Sequence, residues 1–390
     1  MLRSLYSAIS GLRSHQTMLD VTGNNIANVN TTAFKSSAVQ FQDTLSQLTR
    51  GAGAGSASAG GTNPAQIGLG VQVAGISTNF AQGSTQSTGR SGDMMISGDG
   101  FFVVQSGAET LYTRSGAFDF DDQGRLITKT GALVQGWAAQ GGAIDTTQPL
   151  GAVTLPQGAA SAAQATGSAT VTGNLPSDAA TGTEVKRQIN VYDATGAQKT
   201  LELTFTKSAA GWDVAGATDA GASGTGSMTF TDGALTAGGT LAVGGISVDL
   251  SAVSGYATLN TVSIAHQDGY ASGTLQSWSL SDDGTLVGAF SNGTTQPIAR
   301  IALATFVNPG GLEKAGSSDY RTSVNSGAAN VGSAKGNGFG SIVGSALEMS
   351  NVDLSQEFTN LIVAQRGFQA NARMITTSDE VLQELTNLKR

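Results

Sequence analysis

Residues 2–28 read LRSLYSAISGLRSHQTMLDVTGNNIAN, and the spacing of their apolar positions decides the architecture. Leu2, Leu5, Ile9, Leu12, Gln16, Leu19, Gly23 and Ile26 fall alternately three and four apart, and six of these eight are apolar. That is the heptad seam of an amphipathic helix, predicted over roughly residues 2–28. The run Asn24-Asn25-Ile26-Ala27-Asn28-Val29-Asn30 ends it, because asparagine competes for backbone hydrogen bonds and tolerates left-handed backbone.

The far end of the chain mirrors the near one. Leu354, Phe358, Leu361, Gln365, Phe368, Ala372, Ile375, Asp379, Leu382, Thr386 and Lys389 alternate four and three, and Ile362, Val381 and Leu385 widen the stripe. Asn351 or Asp353 is the expected cap. A helix over 354–389 would be about 54 Å long. Gln16 and Gln365 each interrupt an apolar seam; paired antiparallel, they set Ile26 near Ser355 and Leu5 near Thr376. A lone helix pair is marginal in water. No β sequence adjoins the seams to cover them, so other copies of the chain are expected to close both stripes.

Between the ends the period changes. Gly51 to Gly61 is rich in Gly, Ala and Ser and reads as a flexible linker or surface loop, within a linker or extended loop over 34–70. From about Val71 onward short apolar runs are cut by Asp/Asn/Gly turns. Examples are Phe101–Val104 after Gly98-Asp99-Gly100, Ile189–Tyr192 before Asp193-Ala194-Thr195-Gly196, Trp278–Leu280 before Asp282-Asp283-Gly284, and Ile301–Val307 before Asn308-Pro309-Gly310. This is the pattern of all-β domains. An aromatic-poor block, 147–271, is flanked by aromatic-bearing stretches, which points to one domain inserted in another. The fold class is therefore α+β and multidomain. Residues 1–33 with 350–390 form a helical coiled-coil domain, 71–146 with 272–349 a discontinuous middle β domain, and 147–271 a nested outer β domain.

Composition bounds the function. The 390 residues suit two or three domains. Charged residues are 12%, about half the usual share, and Gly (54), Ala, Ser and Thr fill the gap. A net charge of −8 without a basic patch argues against nucleic acid or an anionic membrane as partner. With no cysteine there is no disulfide and no thiolate metal site. Met1–Ser7 has no apolar core of a Sec signal peptide, and no run is long enough to span a membrane, so the residues alone make the cytoplasm the default.

Candidate chemistry is thin. His15, expected opposite the seam, and His266, at a domain junction, read as surface histidines rather than metal ligands. Asp119-x-Asp121-Asp122-Gln123-Gly124 has the start of a calcium loop, but its twelfth position is Thr130 where a bidentate Glu is needed, so a hairpin turn is expected. Gly336-x-Gly338-x-Gly340 lacks the setting of a dinucleotide site and reads as a flexible return into the last helix. No nucleophile–base motif appears. Catalytic, cofactor and metal residues are expected to be absent, and the chain is expected not to be an enzyme.

Two motifs carry a family resemblance. Ser10-Gly11-Leu12 followed by Leu19–Lys35, LDVTGNNIANVNTTAFK, resembles the N-terminal signature of the flagellar rod/hook axial protein family. Leu347–Leu354, LEMSNVDL, with Gln365–Arg373, QRGFQANAR, resembles its C-terminal signature. Signature positions are Gly23, Asn24, Asn25, Ile26, Ala27 and Asn28, then Gln365, Gly367, Phe368 and Asn371. Gly98–Phe102, Tyr112–Phe118 and Gly131–Trp137 are similar to the family's middle domain, which rod members share. Asp268-Gly269-Tyr270, Asp282–Gly288, Phe290–Gly293 and Asn308–Leu312 resemble the return into that domain in hook-type members, and the inserted block fits them better than the shorter rods.

The resemblance implies an inner domain of paired terminal helices lining a channel, a middle β shell and an outer inserted domain. It implies a structural subunit of a bendable extracellular tube that transmits motor torque. It implies partnership with copies of itself as a helical homopolymer, with the distal rod, the hook cap and hook–filament junction proteins, and with the flagellar export apparatus, which needs no cleaved signal peptide. The terminal helices are then expected to be largely disordered in the free monomer. The alternatives are a distal rod protein of the basal body, or a secreted β-rich adhesin or binding module, which would leave the terminal heptads unexplained.

Overall fold

A computed structural model describes residues 2–55, 60–155, 160–219 and 221–387. Two long helices bracket a β-rich chain: α1, Leu2–Ala27, and α2, Leu354–Asn387. By their lengths they extend about 39 Å and 51 Å. Position Lys389 of the C-terminal stripe and the side chain of Leu2 lie outside the described residues. The fold class is thus α+β, with helices at the ends and strands between them. No described helix is long and apolar enough to cross a membrane.

Contacts divide the chain into two compact units. The first comprises 1–155, 279–287 and 297–390; the second comprises 156–278 and 288–296.

Within the first unit, the stretch 34–70 is more ordered than a linker. It carries strands β1 (Ser37–Asp43), β2 (Ser46–Arg50) and β3 (Ala65–Gly68), and β4 (Val71–Thr78) follows. β1 pairs antiparallel with β4, and β2 with β3. The sequence hid β1, β2 and β3 because much of their apolar surface is exposed: Phe41, Leu48 and Ile67 all face solvent, so no buried stripe marks them. Of the Gly51–Gly61 run, 56–59 lie outside the described residues, and Gly53 and Thr62 bridge its ends.

The rest of the unit is a sheet assembled from both sides of the chain. Strand Thr295–Thr305 pairs with Leu133–Ala138, with Phe101–Ser106 and with Asn330–Ser333. Phe101–Ser106 pairs with Glu109–Thr113, which pairs with Asp319–Arg321. Met94–Ser97 takes Ser341–Gly344 as partner, and Thr85–Ser87 takes Ala346–Glu348. The core on this sheet is aromatic: Phe101, Tyr112, Trp137 and Tyr320 are buried, with Phe80 edge-on to Tyr320 at 5.2 Å and Tyr112 edge-on to Phe306 at 4.9 Å. Turns fall where the sequence places them. Gly98, Gly100 and Gly284 take positive φ, and Asp283 accepts hydrogen bonds from the N–H and hydroxyl of Thr285. Gly336–Gly340 is a turn that leads into strand Ser341–Gly344 rather than directly into α2.

The second unit holds two sheets around one core. Five antiparallel strands run in sequence order from Glu184–Tyr192 to Ala234–Ala237. A four-stranded sheet contains the parallel pair Ser168–Asn174 and Ile246–Ser254. Leu201, Phe205, Trp212 and Met228 from the first sheet and Val171, Leu241, Val248 and Leu250 from the second are buried together. Period-2 alternation accounts for this, because strand Trp212–Thr218 buries every other residue at its start.

Candidate assembly surface

The helices pair antiparallel, and small and polar residues rather than leucines occupy their closest contact. A Cβ on Gly11 would lie 2.8 Å from the Asn371 side-chain amide, and one on Gly367 would lie 2.5 Å from the His15 ring. A side chain at either position would force Asn371 or His15 to turn aside or the helices to move apart. At one end of the pair, Asn25 Nδ2 donates to Glu357 Oε1 at 3.1 Å. In each of these pairs the partner lies one residue further along α2 than the Gln16–Gln365 register expects. Gln16 and Gln365 themselves are exposed.

The buried line on α1 is Ala8, Gly11, Ser14, Thr22 and Asn25. The expected seam residues Leu5, Leu12, Leu19 and Ile26 are half-buried at the margin of that line, and Ile9 is exposed. On α2, Glu357 and Ala364 are buried, while Leu361, Phe368, Ile375 and Leu382 are half-buried. Leu354 and Phe358, placed in the seam by their spacing, are exposed. The heptad reading finds the apolar stripe but centres it wrongly, because the close approach of two backbones selects the smallest side chains.

α1 also lies against its own β sequence, contrary to expectation. Ser10 Oγ accepts from Val71 N–H at 3.2 Å, and the rings of His15 and Phe41 meet edge-on at 5.9 Å. His15 therefore sits among α2 and β1 and is not a free surface histidine. His266 is exposed on strand Ser263–Gln267.

The signature residues serve the joint between helices and β structure. Asn25, 1% exposed, donates to Ser37 C=O at 2.8 Å and accepts from Ser37 N–H at 3.0 Å. Asn28 Nδ2 closes the end of α1 by donating to Asn24 C=O at 2.9 Å. Gly23, Asn24 and Ala27 are exposed. Asn371 Nδ2 donates to Gly367 C=O at 2.8 Å, which presents the pair to α1. Asp353 caps α2, accepting from Ser355 and Gln356 N–H groups. Asn351 instead bridges segments, accepting from Ser36 N–H and donating to the carbonyls of Asn79 and Ala81.

Sequence reading missed a buried ionic cluster beside this joint. Lys35 and Glu348, both fully buried, pair at 2.6 Å. Lys35 Nζ also donates to Ala81 C=O, and Glu348 Oε1 accepts from Gly83 N–H. Arg114 lies 3.7 Å from Glu348 and 5.2 Å from the centre of the Phe101 ring. Burial pulls both the Lys35 ammonium and the Arg114 guanidinium below their ordinary pKa values, and Glu348 opposes that pull. The signal available in the sequence was Lys35 and Glu348 standing inside signature runs that hold one other charge each, Asp20 and Asp353. The acidic turn at 119–124 is occupied by its own chain: Asp121 accepts from Gln123 and Arg125 N–H groups, and Asp119 pairs with Arg90 and Lys129.

Outside the helix contact, a broad apolar surface remains open. α2 exposes Phe358 and Ile362 on one flank and Val363, Met374, Val381 and Leu385 on the other. Tyr6 is 69% exposed on α1, and Leu45 and Leu48 are exposed beside β2. Scattered apolar exposure is normal, but contiguous stripes along helices mark an interface.

Comparison with known proteins agrees with this arrangement. The model "Flagella basal body rod protein" matches residues 5–35, "Flagellar hook protein FlgE/F/G D1 domain" matches 95–172, and "Flagellar basal body rod FlgEFG protein C-terminal" matches 343–388. The flagellar hook protein FlgE of Borreliella burgdorferi is 38% identical over 443 aligned residues, covering 100% of both chains. FlgE of Escherichia coli strain K12 is 35% identical, covering 98% of this chain and 99% of that one. The basal-body rod protein FlgG of Bacillus subtilis is 35% identical, covering 100% of both. By terminal signatures, helix pair and full-length similarity alike, this chain belongs to the flagellar hook and basal-body rod protein family.

Proposed function

We propose that this chain is the repeating subunit of a flagellar hook, a curved extracellular tube that bends while it carries motor torque to the filament. The observation that carries this reading is the pair of terminal helices whose apolar flanks stay open after the helices have packed on each other and α1 on β1 and β4. Copies of the same chain would cover those flanks, and head-to-tail contacts that do not close would give a helical tube. In this reading, 1–33 with 350–390 forms the inner layer, 71–146 with 272–349 the middle shell and 147–271 the outer layer. Weakly charged outer surfaces slide at small energetic cost, while the apolar inner layer stays stiff. Export through the flagellar apparatus, with the distal rod, hook cap and junction proteins as neighbours, belongs to the same proposal. The chain's role is structural, not catalytic.

The full-length similarity to a basal-body rod protein supports a second reading, a straight drive shaft. Electron microscopy of the purified chain at high concentration separates the two. Curved tubes support the hook, straight rods the shaft, and monomer in every buffer would overturn both. Hydrogen exchange adds a second measure: protection of residues 2–28 should rise when the chain polymerises.

A further inference from the structure

The free end of α2 and the outer line of α1 are complementary. Continuing the register of the helix pair sets Leu2 opposite Glu380, so Val381–Asn387 runs about 10 Å past the start of α1. From Met374 to Asn387 the charged residues are Asp379, Glu380 and Glu384, with no basic residue among them. Met374, Val381 and Leu385, each about half exposed, share one flank and span about 16 Å, with Glu384 bordering them.

On α1, Arg3, Tyr6, Ser10, Arg13 and Thr17 repeat three and four apart along one line, and no acid precedes Asp20. That line borders a groove of about 430 Å³ lined by Tyr6, Ile9, Arg13, Thr17, Val71 and Val73, between α1 and the start of β4. Arg3 to Arg13 covers about 15 Å, the same length as the α2 stripe. Neither arginine and none of the three acids has an ion-pair partner among the described residues. Within one copy the α2 end cannot reach this groove, because α2 runs along the Gly11 and His15 face of α1.

We propose that the last turns of α2 in one copy dock in the α1/β4 groove of a second copy. Val381 and Leu385 rest on Tyr6, Ile9 and Val71, and Glu380 and Glu384 face Arg3 and Arg13. The contact joins two different patches and therefore propagates from copy to copy. It rests on the reading of the chain as a self-assembling subunit and names the surfaces that would join.

The absence of native cysteine makes the test direct. Chains carrying Ile9→Cys are mixed with chains carrying Leu385→Cys, assembled and mildly oxidised. Disulfide-linked dimers of one chain of each kind are expected, and none from either variant alone. Arg13→Glu should raise the concentration needed for assembly about tenfold or more, Glu384→Arg likewise, and the double variant should return to within about threefold of the parent. Normal polymers that stay unlinked and ignore Arg13→Glu overturn the groove contact alone. An unaltered chain that never polymerises overturns the assembly reading and the contact with it.

Discussion

Asn25 on α1 and Glu357 on α2 meet at 3.1 Å across 332 residues of sequence. The same asparagine holds both backbone groups of Ser37, so one side chain fixes the end of α1 to the start of α2 and to β1. Asn25→Ala leaves those buried groups without partners and should cost about 2–4 kcal/mol. Asn25→Asp should be worse near neutral pH, because it faces a carboxylate with Glu357 and replaces a donor by an acceptor. Acidification should then restore part of the loss as either carboxyl takes a proton. Denaturant unfolding followed by helical circular dichroism reads both, and an Asn25→Asp defect independent of pH would count against the contact.

The Lys35–Glu348 pair predicts a different asymmetry. Lys35→Met leaves the buried Glu348 carboxylate with Arg114 at 3.7 Å and the Gly83 N–H, and should destabilise by up to about 3 kcal/mol. Glu348→Gln leaves Lys35 and Arg114 buried together without a counter-charge and should cost more than Lys35→Met, about 3–5 kcal/mol. Thermal melts of the three chains make the comparison. Equal losses in the two variants would show that charge compensation by Glu348 does not hold the cluster.

These two contacts also mark the limit of what the sequence discloses. The heptad spacing reveals both helices and the half-buried line Leu5, Leu12, Leu19 and Ile26, whereas the register comes from setting Gln16 against Gln365 and lies one residue from the observed one. It does not reveal that Ala8, Gly11 and Thr22 lie deeper, because hydrophobic periodicity ranks side chains by transfer energy and not by how closely two backbones approach. Asn25 and Lys35 stand in the N-terminal signature run, but their carboxylate partners lie more than 300 residues away, where local pattern is silent. β1, β2 and β3 went unseen for the opposite reason: with Phe41, Leu48 and Ile67 exposed, their alternation does not follow burial. The turns at Gly98–Gly100 and Gly284 were legible because glycine there meets a local backbone requirement.

Gly11 tests the close approach of the helices. In Gly11→Ala the new methyl carbon would meet the Asn371 amide at 2.8 Å, so α2 must shift or Asn371 must turn away from the Gly367 carbonyl. The expected cost is about 1–3 kcal/mol despite the better helix propensity of alanine. Gly11→Ala with Asn371→Ala should recover part of it. A Gly11→Ala chain more stable than the parent would mean that the helices pack less closely than described.

Alkaline pH should weaken the first unit through Tyr320. Burial raises its phenol from 10.0 to about 12. The unfolded chain releases this proton first, so the stabilisation is complete below pH 10 and is lost as pH rises from 10 towards 12. The loss amounts to roughly 2–3 kcal/mol by pH 12. Tyr320→Phe cannot ionise and should flatten this part of the stability profile. Unfolding midpoints between pH 9 and 12 for the two chains supply the measurement, and parallel profiles would remove Tyr320 as the cause.

The second unit should be removable without loss of assembly. Gln164 and Tyr270 exchange backbone hydrogen bonds at 3.0 Å in both directions, so the chain leaves and re-enters that neck at neighbouring points. Excising 165–269 and joining Gln164 to Tyr270 through two glycines closes a short gap, at little entropic cost. The excised stretch takes most of a separate core built around Trp212, Leu203 and Phe205. It takes none of α1, α2, β1 or β4. Tubes should therefore still form, with altered curvature or stiffness, because the outer contacts have gone while the helical contacts remain. Micrographs of the excised chain decide the matter: failure to polymerise would place essential assembly contacts in the inserted block and refute the division of labour between stiff inner helices and a compliant exterior.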